Sequence, residues 1–245
     1  MPAGVPASVV LTLAGVVAAA WVARAGARRR GLPARRTIDG LFLMIAVGLL
    51  IGHVADVVLY RGDALRADWR ELLPWSGGVC TLGALAGAGL VGAGWFRRAP
   101  GGWLANGDNL VTALSLGWGI GRIGCFIDHD HLGRLTDVPF AVAMPGGARH
   151  DLGLYEAALA LLIFVVLRRG EGQRPPGRAL ALAALLFGLG RFAIEQVRAD
   201  DLQLLGRRSD PRLFGLTLVQ YAAVALIASG ALLWRRQAVP DTVAA

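Results

Sequence analysis

The chain contains no lysine. All 25 basic residues are arginine, set against 17 acidic residues, for a formal net charge of +8 over 245 residues. Charge of either sign is scarce, at 17% of residues, while 55% are apolar and the mean hydropathy is +0.54. That balance excludes an ordinary soluble domain. Cysteine is scarce too. Cys80 and Cys125 both lie in apolar stretches, which excludes a disulfide framework and a cysteine-rich metal motif and leaves two small buried hydrophobes. There is neither a low-complexity tail nor a helix with a basic face, so the positive balance does not indicate nucleic acid. The first apolar run has no positive charge ahead of it and a dense arginine cluster behind it, the reverse of a signal peptide.

What is present is a series of apolar blocks, each near the roughly 20 residues that cross a bilayer as a helix. They predict seven spans, at 4–23, 38–60, 77–95, 104–126, 150–167, 178–197 and 214–234. The expected fold is an all-α integral membrane protein, one membrane-embedded domain over 1–245. Linkers such as "RRGEGQRPPGR" are short, and no internal repeat is visible.

The arginines orient these spans. Arg24, Arg28, Arg29, Arg30, Arg35, Arg36, Arg97, Arg98, Arg168, Arg169, Arg174, Arg178, Arg235 and Arg236 fall on one side. Those fourteen outnumber the nine opposite, and Arg122 and Arg191 lie inside spans. The positive-inside rule puts the fourteen in the cytoplasm. The N-terminus is then periplasmic and the C-terminus cytoplasmic, and the loops near 61–76, 128–149 and 198–213 face outward.

The polar residues inside spans need an explanation, because a charge at a helix centre costs about 2.5–3.5 kcal/mol on insertion scales. Arg122 closes span four in "GWGIGRIG", where glycines at 117, 119, 121 and 124 permit close approach of another helix or a ligand. It reads either as a snorkelling arginine or as an anion clamp. Span six ends "FGLGRFAIEQVRADD", with Arg191, Glu195 and Arg198 at i, i+4 and i+7 on one helical face. An ion pair there neutralises one charge and leaves a surplus arginine. Arg122 lies on the same side of the membrane, and the sum favours an anionic ligand. A phospholipid phosphate suits arginine through bidentate bonding.

Span five opens "ARHDLGLYEAALAL". Arg149 and His150 sit at its outer surface. Tyr155 reads as an interfacial anchor, and Glu156, inside the span, requires a partner, with Arg122 and Arg191 as candidates. The loop "DHDH", Asp128 to His131, lacks a spacing that fixes four metal ligands and reads as a solvated polar loop, so no metal is expected. His53 and Asp56, one turn apart in span two, read as hydrogen-bonded to each other.

Three segments, "GDNLVTALSLGWGIGRIGCFIDHDHLGRLTD", "RHDLGLYEAAL" and "GLGRFAIEQVRADD", followed by "LTLVQ", resemble the bacterial prolipoprotein diacylglyceryl transferases in order and spacing. The resemblance covers most of the chain after residue 38 and is tightest over 107–220. It implies a multi-pass enzyme of the bacterial inner membrane, without cofactor, serving lipoprotein biosynthesis. Such enzymes move the diacylglyceryl group of phosphatidylglycerol to a cysteine thiol of a lipoprotein precursor. On this resemblance Arg122 falls on the arginine that binds the lipid head group, Arg191 and Glu195 on the arginine and glutamate of span six, and Gly133 on a loop glycine. Gly121, Gly124, Arg149, Tyr155, Glu156 and Arg198 complete the expected lipid site.

The chain departs from the family pattern at several positions. Ser76-Gly77-Gly78 stands where the family reads His-Gly-Gly. Cys125 replaces an asparagine, Asp128-His129-Asp130 replaces Asn-Gly-Glu, and Asp39 and Phe187 replace tyrosines. A serine cannot act as a base near neutral pH. His150 is the expected substitute, with His129 and His131 as alternatives. A phospholipid-binding paralogue of the same fold that transfers nothing is the second expectation. A transporter ranks below both, because the charges gather near one face and not at the midplane.

Overall fold

The computed structural model describes residues 5–73, 78–201 and 212–236. Ser76, Arg207 and Arg208 lie outside the described residues. The fold is mostly helical. The seven expected blocks coincide with helices α1 (Ala7–Arg29), α2 (Ala34–Tyr60), α4 (Thr81–Phe96), α5 (Gly102–Asp128), α6 (Leu152–Arg169), α7 (Arg178–Gln196) and α8 (Leu218–Arg236), while a short α3 (Gly62–Ala67) follows α2.

Five of these, α1, α2, α5, α7 and α8, are long and apolar enough to cross a membrane, so the chain is a multi-pass membrane protein. α4 is apolar but shorter, at 16 residues. α6 has 18 residues and includes Glu156, Arg168 and Arg169.

The expectation of an all-α fold is corrected by two small antiparallel sheets. Strands β1 (Leu132–Leu135), β2 (Val142–Met144) and β3 (Gly147–Asp151) form one, in the order β1-β3-β2. β4 (Arg212–Leu213) pairs with β5 (Leu216–Thr217). The β2–β3 hairpin turns through Pro145-Gly146, with Met144 opposite Gly147 and Gly146 at φ +90°. Proline followed by a left-handed glycine is the residue order of a type II turn. Much of the outer loop expected near 128–149 is therefore sheet, while Asp128 to His131, read as a solvated polar loop, precede it.

The chain divides into two compact units, Ala23–Leu110 on one hand and Met1–Val22 with Val111–Ala245 on the other. In the first, α2 and α4 pack through glycines: a Cβ at Gly52 would lie 2.7 Å from Val79, and one at Gly83 2.9 Å from the Ile51 carbonyl. Here the expected His53–Asp56 pair is absent. His53 reaches the carbonyls of Gly78 (Nδ1, 3.1 Å) and Glu71 (Nε2, 3.2 Å), and Asp56 is held by Arg61 at 2.9 Å. The chain folds back after α2, so acceptors three residues along the helix lose to carbonyls brought in from outside it.

In the second unit, glycines set the helix spacing. A Cβ at Gly117 would sit 2.6 Å from the Gly15 carbonyl oxygen, and one at Gly124 would sit 2.6 Å from Ser8 Cα, so α1 lies directly on α5. The carboxylate of Asp128 closes this contact by accepting from the backbone N–H groups of Ala7 (3.0 Å) and Ser8 (2.7 Å), which caps the start of α1. Gly119 meets Leu161 and Gly153 meets Phe126, drawing α5 and α6 together. Replacing Gly117 with valine should destabilise the protein by about 1–3 kcal/mol through overpacking. Gly94→Val, at a position with open space around it, should change stability by no more than about 0.5 kcal/mol. Thermal unfolding in detergent checks the contrast, and equal midpoints would contradict this packing.

Candidate active site

The close approach of α5, α6 and α7 converts scattered charges into one chain. Arg122 Nε lies 2.9 Å from Glu156 Oε2. Glu156 Oε1 is 3.3 Å from Arg191 Nη1, which is 3.1 Å from Glu195 Oε2. Glu195 Oε1 accepts from Arg198 Nε at 2.6 Å. The sequence expectation that Glu156 would meet both Arg122 and Arg191 agrees with this geometry. Glu156, Arg191 and Glu195 are 1%, 5% and 0% exposed. Arg122 and Arg198 stand at the two ends, slightly more open.

Three guanidiniums alternate with two carboxylates in a water-poor region. The internal pairs meet at ion-pair distance but off the hydrogen-bond axis: Glu156 Oε2, Arg191 Nη1 and Glu195 Oε2 lack a well-directed hydrogen bond. Buried polar atoms of this kind are uncommon and mark where a further partner can enter.

Groups outside the expected set position the chain. Thr217 Oγ1 donates to Glu195 Oε1 at 3.2 Å, and fully buried Gln220 accepts from the Thr217 N–H at 3.0 Å. Both belong to the "LTLVQ" segment, whose roles could not be read without knowing that the start of α8 faces Glu195. The Arg122 guanidinium lies 4.7 Å from the Trp118 ring centroid, and Trp118 meets Phe187 edge-on. Such a cation–π contact orients an arginine without neutralising it.

Gly133 and Arg149 sit beside the network. Gly133 forms a β-bridge with Arg198, and a Cβ there would lie 2.6 Å from the Val197 carbonyl oxygen. The glycine thus lets β1 lie against the backbone of Val197 and Arg198. Arg149, 3% exposed, binds Asp201 bidentately at 2.8 and 2.6 Å and donates to the Gly133 carbonyl. Gly121 faces Thr12 and Gly124 faces Ser8, both on α1.

The hydrogen bonds from Arg149 hold the Asp201 carboxyl below the usual carboxylate range. A folded-state pKa below the unfolded one means stability that is present above the unfolded value and lost as pH falls through the folded value. The 132–151 sheet should therefore loosen in acid. Hydrogen-exchange protection of residues 132–151, taken relative to the intrinsic rate at each pH, checks this: protection should fall in acid for wild type, while Asp201→Asn should be already poorly protected at neutral pH and less pH-dependent. A flat wild-type profile would contradict the latch.

Among the histidines, His150 Nδ1 lies 2.5 Å from the Tyr155 hydroxyl. Among the described residues no hydrogen bond or ion pair joins His150 to the arginine–glutamate chain. His129 Nδ1 is 2.9 Å from Asp151 Oδ2, while Asp151 Oδ1 caps α6 by accepting from Gly153 N–H. His131 Nε2 is 3.6 Å from Asp130 Oδ1.

Comparison with known proteins gives one consistent result. The family model for prolipoprotein diacylglyceryl transferase matches residues 8–236. The chain is similar to the phosphatidylglycerol–prolipoprotein diacylglyceryl transferase of Chromohalobacter salexigens, 35% identical over 93% of this chain and 87% of the relative. It is similar to the enzymes of the same description from Geobacter sulfurreducens, at 32% identity over 78% and 76%, and Methylocella silvestris, at 35% over 83% and 78%.

Proposed function

Because the chain belongs to the prolipoprotein diacylglyceryl transferase family, we propose that it transfers the diacylglyceryl group of phosphatidylglycerol to the cysteine thiol of a lipoprotein precursor, with the Arg122–Glu156–Arg191–Glu195–Arg198 chain as its phosphate site. The observation that carries this reading is the alternation of three guanidiniums with two buried carboxylates in one connected chain. In the reaction the thiol sulfur forms a bond to the glyceryl carbon. The carbon–oxygen bond to phosphate breaks, its electron pair goes to oxygen, and glycerol phosphate leaves. The departing group gains negative charge as the bond breaks, and guanidiniums fixed in a water-poor site stabilise that charge without reorganising.

Arg122, at one end of the chain and steadied on Trp118, clamps the head group. Arg191 and Arg198, held by Glu195, receive the growing charge. Off-axis pairing leaves guanidinium donors that phosphate oxygens can take. Gly133 and Arg149 position Arg198 from outside, and the tight packing of Gly121 and Gly124 on α1 fixes the helix that carries Arg122. His150, bonded to Tyr155, accepts the thiol proton.

The same reading places the enzyme in the bacterial inner membrane as a seven-span, single-domain protein with its N-terminus periplasmic. Single cysteines introduced at 128–149 in a Cys80→Ala/Cys125→Ala background should react with a membrane-impermeant thiol reagent in spheroplasts, and those beside Arg235 should not. The opposite pattern would invert the topology. The function is tested by complementation: expression in cells depleted of their own transferase should restore diacylglycerylated lipoproteins. Failure to do so, with the protein present and binding phosphatidylglycerol, would favour the paralogue that binds lipid without transfer, a reading motivated by Ser76 and Phe187.

A further inference from the structure

The turn after α5 brings together three side chains that the sequence distributes between an apolar helix and a polar loop. Cys125 Sγ, a carboxylate oxygen of Asp130 and a ring nitrogen of His131 all lie within 4.8 Å of one another. We propose that Cys125, Asp130 and His131 form a zinc site whose open fourth position takes the acceptor cysteine as a thiolate. The inference rests on the transferase reading above.

The donor set fits the metal. Zinc takes sulfur, nitrogen and oxygen ligands at about 2.0–2.3 Å in a tetrahedron, and catalytic sites supply three protein ligands and leave one position open. Donors around such an ion stand roughly 3.3–3.7 Å apart. Asp130 Oδ1 and His131 Nε2 are already 3.6 Å apart. Thiolate and carboxylate together carry two negative charges, so a bound Zn²⁺ adds no net charge beside Arg122, whose Nη1 is 3.8 Å from Cys125 Sγ.

The turn that carries the ligands is fixed from outside. Asp128 is held by the start of α1, and His129, in the left-handed region at φ +49°, reverses the chain while its ring pairs with Asp151. The Asp130 N–H donates to the Cys125 carbonyl at 3.3 Å, and the Leu152 N–H to the His131 carbonyl at 2.8 Å. Asp130 and His131 are thereby folded back over Cys125 before any metal binds.

The chemistry supplies what the replacement of histidine by Ser76 removes. A free thiol is weakly nucleophilic until ionised, with a pKa of about 8.5, and a thiol bound to zinc is deprotonated outright. The displaced proton goes to His150. The thiolate then attacks the glyceryl carbon, the carbon–oxygen bond breaks, and glycerol phosphate leaves toward the arginines. No oxidant or reductant is needed.

The test uses the full chain in detergent, loaded with Zn²⁺ or Co²⁺ and dialysed. Wild type should retain about one metal per chain and show a thiolate-to-cobalt charge-transfer band with Co²⁺. Cys125→Ser and His131→Gln should lose both, while Cys80→Ser, at a cysteine outside the cluster, should keep both. Circular dichroism confirms that each variant is folded. Metal retained equally in Cys125→Ser overturns the site. Transfer to a synthetic precursor peptide, measured across pH, separates this inference from the reading beneath it. Zinc-loaded enzyme should work at neutral pH; metal-free enzyme, left with His150 alone to take the proton, should be slower there and approach it as the thiol ionises near pH 8.5 and above. Equal transfer with and without metal overturns the zinc role and leaves the transferase standing. Stoichiometric metal with no transfer sustains the site and overturns the transferase.

Discussion

Replacing Arg122 with glutamine should slow diacylglyceryl transfer by about 10²–10³-fold, the usual cost of removing one fixed charge-stabilising donor. Binding of phosphatidylglycerol should weaken by about 1.5–3 kcal/mol, as for a lost hydrogen bond to a charged group. The fold should survive, because Glu156 keeps Arg191 as its partner and Arg122 stands at an end of the chain. Arg122→Lys should fall between the two, since lysine keeps the charge but lacks the planar fork. Initial rates in phosphatidylglycerol vesicles, with binding followed by native mass spectrometry, give both quantities. Unchanged binding and rate in Arg122→Gln would remove Arg122 from the site.

Glu195→Leu should have the largest effect on stability. Glu195 is fully buried, meets both Arg191 and Arg198, and accepts from Thr217. Removing one partner of a buried ion pair typically costs about 3–5 kcal/mol, because the remaining charge is left uncompensated. The double variant Arg191→Met/Glu195→Leu should recover much of that loss, since replacing a buried pair by apolar groups of similar size is often neutral or stabilising. It should not recover phosphatidylglycerol binding. Unfolding in detergent, read beside lipid binding, separates the two roles. A double variant that regains both would make the pair structural only.

Much of the architecture was legible because membrane insertion imposes a simple rule on composition: an apolar block of span length becomes a helix. The arginine–glutamate chain was also partly legible, since unpaired charges inside apolar blocks demand partners, and Glu156 had two candidates. Other features depended on tertiary contacts. The sheet over 132–151 has short strands with no clear alternation, and its one local signal, the Pro145-Gly146 turn, stood in a segment read as loop. Asp128 caps a helix that begins about 120 residues earlier, and no sequence pattern predicts such a partner. Cys125 read as a small apolar residue and Asp130-His131 as solvated loop. Only the left-handed turn at His129 puts them together.

The central claim is that this chain catalyses transfer and that the buried arginines act on a phosphate. The most direct measurement is release of glycerol phosphate by purified protein in vesicles, with a synthetic precursor peptide whose cysteine is intact or replaced by serine. The account predicts release that requires phosphatidylglycerol and the peptide thiol, one glycerol phosphate per thioether formed, and loss of about two orders of magnitude or more in Arg122→Gln. Absence of release by folded wild-type protein that binds phosphatidylglycerol would contradict it.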